Sequence, residues 1–403
     1  MIYVKNQRIK NLKEAEIIFC SFVPVGLEDY VNYFEKEFEK FTYLKWKFPH
    51  GKGNIFSEII IAEKGGGNQK KKIFSFFTFK NKFFYFIFLP LNYFIYFCQS
   101  IIHLWKRNGG NRQRIFFGIN YFCTFCGIIL KKFGRIDFVI YRVMDFFPLP
   151  PKGIYRILNK IFYRIDKFCL NNADSIWFTT EGHIIGREKY GYFDRKKYNY
   201  QIIPLGININ KFVIRPASEH EHSLVYCGVI SKYHMFELLF EVLDELRNNF
   251  KNIRLKIIGS GPDEDYFKNL SIRMNLGKNI DFYGYVEEGE LLKKTISESS
   301  LGIALYKDEE NFMKYTEPAK VKYYLGFGIP SIISDVPVIA RELDEKGVGL
   351  KVKNEKDEIV AIIKNFLDDA EKQKICKQKI VEFIKEINID NLLDGCFKDT
   401  FKK

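Results

Sequence analysis

Short apolar runs alternate with amphipathic stretches along almost the whole chain, and this alternation limits the fold more than any other feature. "AEIIFCSF" (Ala15–Phe22) is followed by "GLEDYVNYFEKEFEKF", whose apolar positions recur at helical spacing behind acids in the first turn. "FTYLKWKF", "SEIIIAEKG", "KKIFSFFTF" and "RIFFGIN" read as further strands, with a helix near 121–133. The strand "DFVIYRVMD" (Asp137–Asp145), a helix around Ile154–Leu170, and the strands "SIWFTT" and "YNYQIIPLG" complete the first half. The second half repeats the pattern: "HSLVYCGVI", "MFELLFEVLDELRNNF", "IRLKIIGSG", "DEDYFKNLSIRMNL", "IDFYGYV", "EGELLKKTISES", "LGIALY". Strand-helix alternation of this kind predicts an α/β fold with mostly parallel sheets covered on both faces.

With 403 residues the chain is too long for one such unit, so two Rossmann-like domains facing across a cleft are expected. The hinge is expected near Gly206–Glu221, where "GININKFVIRPASEHEH" lacks periodicity. The expected divisions are 1–207, a linker at 208–222, a second domain at 223–385, and a C-terminal helix at 386–403 that can pack back on the first domain. Ligands of such folds bind at the carboxyl ends of the strands.

Charge is unevenly spread. Residues 1–207 hold 33 Lys and Arg against 16 Asp and Glu, and residues 208–403 hold 30 against 33, so the net +14 belongs to the first half. Lys64 to Ile136 contains 13 basic residues and no acid. Within it lies "FFYFIFLPLNYFIYFCQSIIHLW" (Phe83–Trp105), free of formal charge. Its length would allow a membrane span, but Pro90, Asn92, Gln99 and His103 interrupt it. Aromatic rings between basic flanks favour the membrane interface, and an ordinary buried helix is the other reading. An anionic membrane surface is therefore the expected partner of the first half, peripheral at the inner face of the cell membrane, on the cytoplasmic side. Nucleic acid is not expected, because the aromatics cluster in one apolar run and are not interleaved with basic residues. The polar start carries no signal peptide pattern. The eight cysteines lie in apolar segments, and Cys123 and Cys126 read as a buried helix face in a reducing compartment.

Several strings, in this order, resemble the retaining family-four glycosyltransferases of the GT-B fold, which use a nucleotide sugar. "IIPLGININKF" (Ile202–Phe212) resembles the family's string between domains. "LKIIGSGPDEDYFKNL" resembles its Gly-rich turn, and "IDFYGYVEEGELLKKTISESSLGIAL" the strand, turn, helix and strand that follow. "YYLGFGIPSIIS" (Tyr323–Ser334) resembles its helix, Gly-x-Pro and strand signature. Gly328 would end that helix and Pro330 would bar its continuation.

The resemblance implies transfer of a sugar from a nucleoside-diphosphate sugar to a lipid-linked or cell-surface glycan acceptor, with no cofactor and no metal. It implies donor contacts from Gly26, Gly228, Lys232, Gly259, Gly261, Val286, Lys320 and Tyr323. Asp145, at the end of its strand, would hold the sugar or the acceptor hydroxyl. The family carries two glutamates eight apart, the later one seven before the proline; Tyr315 and Tyr323 occupy those positions here, and Glu317 is the nearest carboxylate. It also carries Arg after the first Gly and Lys-Gly some residues on, where this chain has Val229 and His234-Met235. These departures leave two alternatives open: a catalytically inactive partner subunit or sugar-binding protein, and a GT-B epimerase.

Overall fold

The computed structural model describes residues 9, 11–22, 27–46, 57–64, 69–73, 82–105, 112–150, 152–214 and 222–402. The chain divides into two compact units. The first holds residues up to Thr179, His183–Ile203 and Leu393–Lys403; the second holds Thr180–Gly182 and Pro204–Leu392.

In the first unit the strands are β1 (Glu16–Phe22), β2 (Lys40–Trp46), β3 (Ser57–Glu63), β4 (Gln69–Ile73), β5 (Arg114–Ile119), β6 (Phe138–Val143), β7 (Ser175–Phe178) and β8 (Tyr200–Ile202). They form one sheet in the order β4-β3-β2-β1-β5-β6-β7-β8. From β2 to β8 every pairing is parallel, whereas β3 and β4 add on antiparallel at one edge. Its helices are α1 (Glu28–Glu37), α2 (Lys82–Trp105), α3 (Asn120–Lys132), α4 (Ile154–Asn172) and, from His183 on, α5 (Glu181–Lys189). β1 and β5 are buried along their whole length, which explains why both read as unbroken apolar runs. Cys123 and Cys126 lie on the buried face of α3, and all eight cysteines are free thiols. Phe397, near the end of the chain, packs against Phe34, Phe38, Phe117 and Trp177 of this unit.

The second unit holds β9 (Ser223–Cys227), α6 (Phe236–Asn249), β10 (Arg254–Ile258), α7 (Glu264–Arg273), β11 (Ile280–Gly284), α8 (Glu290–Ser297) and β12 (Leu301–Ala304). After these come α9 (Ala319–Gly326), β13 (Ser331–Ser334), α10 (Ile339–Glu345), β14 (Gly349–Val352), α11 (Lys356–Leu367), α12 (Ala370–Glu386) and α13 (Ile389–Phe401), the last running on into the first unit. Its sheet has the order β11-β10-β9-β12-β13-β14 and is parallel throughout. α11 and α12 are separated at Asp369, which leaves the helix and whose side chain accepts from Lys372 N–H.

The Gly-Ile-Pro stretch does what its residues require. Gly328 adopts φ 75°, a left-handed conformation suited to glycine, and the chain then enters the buried strand β13. Just upstream, Tyr324 lies flat on Gly302: a Cβ there would come within 2.2 Å of the ring. The Tyr324 hydroxyl accepts a hydrogen bond from Cys227 N–H at 2.8 Å and donates to Ile303 C=O at 3.3 Å. β9 and β12 pair only at Leu224–Leu301 and Val225–Gly302, so the phenol supplies partners to backbone groups where that ladder ends.

No helix among the described residues is long and apolar enough to cross a membrane.

Candidate functional site

The site in the second unit is built at the carboxyl end of its sheet. Parallel strands joined by helices bring the starts of those helices to that edge, where their N–H groups point outward. The turn after β9 carries Gly228 at φ 143°, and the turn after β10 carries Gly259 at φ 135°. A Cβ on Gly259 would stand 1.9 Å from the Gly228 carbonyl oxygen, and one on Gly261 would stand 2.1 Å from that of Ile230. Both glycines therefore let two loops pack backbone on backbone, and Gly228 N–H is held by Ile258 C=O at 2.9 Å.

Lys320, in the first turn of α9, reaches into this corner. Its ammonium is 3.9 Å from the centre of the Tyr226 ring and 5.5 Å from that of Tyr306. The Nζ is buried and has no hydrogen-bond partner among the described residues. A Cβ on Gly228 would stand 3.4 Å from it, so the glycine backbone packs close against the amine. Burial in this aromatic surround lowers the lysine pKa to about 7. His234 closes the same corner: Nδ1 is 3.0 Å from Ser231 Oγ, and the ring stands edge-on to Tyr226 and Tyr306. Burial first, and then the Lys320 charge, push its pKa down to about 3, so it is neutral at ordinary pH.

Lys232 is exposed; its N–H donates to Asp263 at 3.0 Å and its ammonium sits 5.1 Å over the Tyr266 ring. Tyr323 is half-buried, edge-on to Phe212 and Phe327. With Cys227 and Val286 it packs against the cluster of Val225, Ile258, Leu292 and Ile296. Burial, and after it the Glu288 charge, push the Tyr323 phenol up to about 12.

Two residues are engaged elsewhere. Tyr315 is buried and donates to Glu310 at 2.6 Å. The Glu317 carboxylate forms a buried ion pair with Lys322 at 2.8 Å and accepts Leu205 N–H at 2.7 Å, so it fastens the string Ile202–Phe212 to the start of α9. The sequence offers Glu317 as the carboxylate nearest the two positions held by Tyr315 and Tyr323; in the structure its Oε1 faces Lys322 and its Oε2 accepts from Leu205.

In the first unit, Asp145 follows β6 with an exposed side chain, while its carbonyl accepts from Arg187 at 3.4 Å. The protein around its carboxyl raises the pKa, and the Arg187 charge opposes this. Gly26 lies outside the described residues. The aromatic corner of Tyr226, Tyr306 and His234 has no separate signature in the sequence, because each residue reads simply as part of an apolar strand or the turn after it.

Residues 209–382 match the family described as glycosyl transferases group 1. No curated protein matches the chain. Among solved structures, sucrose-phosphate synthase (tll1590) from Thermosynechococcus elongatus is similar at TM-score 0.68 and 14% identity, over 96% of this chain and 100% of that one. Anabaena Alr3699/HepE in complex with UDP is similar at TM-score 0.65 and 12% identity, over 97% and 100%. The lipopolysaccharide outer core galactosyltransferase WaaB is similar at TM-score 0.60 and 14% identity, over 96% and 99%. The chain has the GT-B fold of these structures, and the family match lies in its second unit.

Proposed function

We propose that the chain transfers a hexosyl or related sugar, with retention, from a uridine-diphosphate sugar to a lipid-linked or cell-surface glycan acceptor. One observation carries this reading: a lysine amine buried with no hydrogen-bond partner among the described residues, in the first turn of a helix, beside a glycine without a Cβ. An isolated buried amine is costly, and a diphosphate would turn that cost into a charge-assisted contact. The helix dipole adds to the attraction. UDP is the nucleotide in the HepE complex, and UDP-2-fluoro glucose is bound in the E. coli trehalose-6-phosphate structure.

In this reading Lys320 neutralises charge on the leaving diphosphate, with Lys232 as a second, exposed cation. Gly228, Gly259 and Gly261 shape the backbone beneath it. Tyr323 and Val286 receive the nucleoside, and Asp145 acts on the acceptor side. Glu317 positions α9 and does not touch substrate.

Titration calorimetry with UDP, ADP and GDP tests the reading. UDP should bind best, and Lys320→Met should weaken it about 10- to 150-fold, the worth of a charged hydrogen bond. Asp145→Asn should leave UDP binding intact and lower transfer. Failure of all three diphosphates to bind would overturn it. A second reading, an inactive sugar-binding subunit, is favoured by Tyr315 and Tyr323 standing where the resemblance puts carboxylates. It predicts UDP-sugar binding with no release of UDP in the presence of any acceptor.

A further inference from the structure

Helix α2 is turned inside out relative to an ordinary surface helix. Among its described side chains it buries Asn92, Tyr96, Ser100 and Leu104, four apart and on one face. Two of these four are polar, and Ser100 accepts a hydrogen bond from Trp46 Nε1 at 3.1 Å. The residues it presents outward are apolar: Leu91, Phe94 (62% exposed), Ile102 (73%) and Trp105 (41%), joined by the half-buried Cys98. A water-facing helix shows the reverse arrangement.

The neighbouring helices extend this surface. Aromatic pairs tie α2 to α3 (Tyr93–Phe122, Phe97–Phe125, Trp105–Phe133) and α3 to α4 (Phe122–Phe162, Phe125–Phe168). Phe133 at the end of α3 is exposed, as are Ile157 and Ile161 on α4. Between and beside these apolar residues lie the exposed basic side chains of Lys132, Lys160, Arg164 and Lys167. Asp166, the one acid within α2, α3 and α4, is buried in an ion pair with Arg187. Lys70, Lys71 and Lys72 are exposed on the edge strand β4; burial lowers the pKa of His103 on α2, and the nearby Lys71 charge lowers it further.

We propose that the layer formed by α2, α3 and α4 is a docking face for an anionic phospholipid bilayer. The outer stripe of α2 enters the interface, and the basic residues of α4 and β4 meet the headgroups. Charge decides the occupant: an apolar stripe set among basic residues, with no exposed acid on these helices, suits a negative lipid surface. A second copy of the same face would bring like charges together.

The test uses the full chain and vesicles of neutral phosphatidylcholine, with and without phosphatidylglycerol. Trp46 and Trp177 are buried, so a change in tryptophan emission on binding reports Trp105. Emission should shift to the blue with anionic vesicles, be quenched by brominated acyl chains, and revert in high salt. Lys160→Gln with Arg164→Gln should weaken binding about 30-fold. Phe94→Asp with Ile102→Asp should weaken it at least as much, with an unchanged melting temperature because both positions are exposed; Ile102→Ser repeats the test if the pair does not fold. No emission change, equal binding to neutral vesicles at every salt, or a lipid-free dimer that Ile102→Asp dissociates would each overturn the proposal.

Discussion

The Lys320 ammonium lies 3.9 Å from the centre of the Tyr226 ring with no hydrogen-bond partner among the described residues. The ring face offers some attraction to the cation, but it replaces little of the lost hydration. That imbalance holds the pKa near 7 in the folded chain, against about 10.4 for an exposed lysine.

The sign of the resulting pH effect follows from proton binding. Between these two values the unfolded chain holds the proton and the folded chain has released it, so stability from this group rises with pH. It is lost as pH falls through about 7. Lys320→Met removes the effect. The variant should gain stability over the parent at pH 6, and most of that gain, up to about 3 kcal/mol, should be gone at pH 9. Denaturant melts of both proteins across this range measure it. UDP binding has the opposite slope, because a diphosphate favours the charged amine: affinity should fall above pH 7 by up to about tenfold per unit, and Lys320→Met should flatten the curve. A parent and variant with parallel pH profiles would mean that the amine stays charged throughout.

Tyr324 and Gly302 should behave as one unit. Gly302→Ala drives a methyl into the ring and should cost about 1–3 kcal/mol. Tyr324→Phe keeps the ring but strips the partner from Cys227 N–H, at a cost of about 1–3 kcal/mol. The double change Gly302→Ala with Tyr324→Ala should cost less than the sum of its two singles, because the ring that meets the methyl is gone. Additive values from urea melts would show that the contact carries no strain.

The first unit has its own buried charge. Asp166 accepts hydrogen bonds from Arg187 at 2.9 Å, Tyr141 at 2.6 Å and Tyr192 at 3.1 Å, all inside the core. Asp166→Ala leaves the guanidinium buried without its carboxylate and should destabilise the chain by about 3–5 kcal/mol. Asp166→Ala with Arg187→Met should recover much of this, a comparison that thermal melts can make.

Much of this architecture is legible in the sequence because buried parallel strands must be short and apolar, and the helices between them must be two-sided. The antiparallel edge of β3 and β4 is not, since a run such as "SEIIIAEKG" gives no direction. Lys320 is visible at its place in the chain, but its burial depends on Tyr226, 94 positions earlier, and Tyr306, which only the sheet brings together. The inverted face of α2 is equally hidden: composition shows a charge-free stretch, and only packing shows that Asn92 and Ser100 turn inward while Phe94 and Ile102 turn out.

Glu317 provides the sharpest test of what geometry adds to spacing. Its carboxylate pairs with Lys322, whose side chain is only 4% exposed, and holds Leu205 N–H. If its role is to fasten α9, Glu317→Gln keeps a hydrogen-bond acceptor for Leu205 but strands the Lys322 charge. Stability should then fall by about 3–5 kcal/mol at neutral pH. Lys322→Met in the same chain should restore much of it, because the pair is then removed together. UDP affinity, measured where both proteins are folded, should change little, since the proposed function gives the phosphate contact to Lys320 and not to Glu317. A Glu317→Gln chain of unchanged stability whose turnover collapses would make Glu317 a catalytic carboxylate, and the ion pair with Lys322 a resting arrangement that substrate breaks.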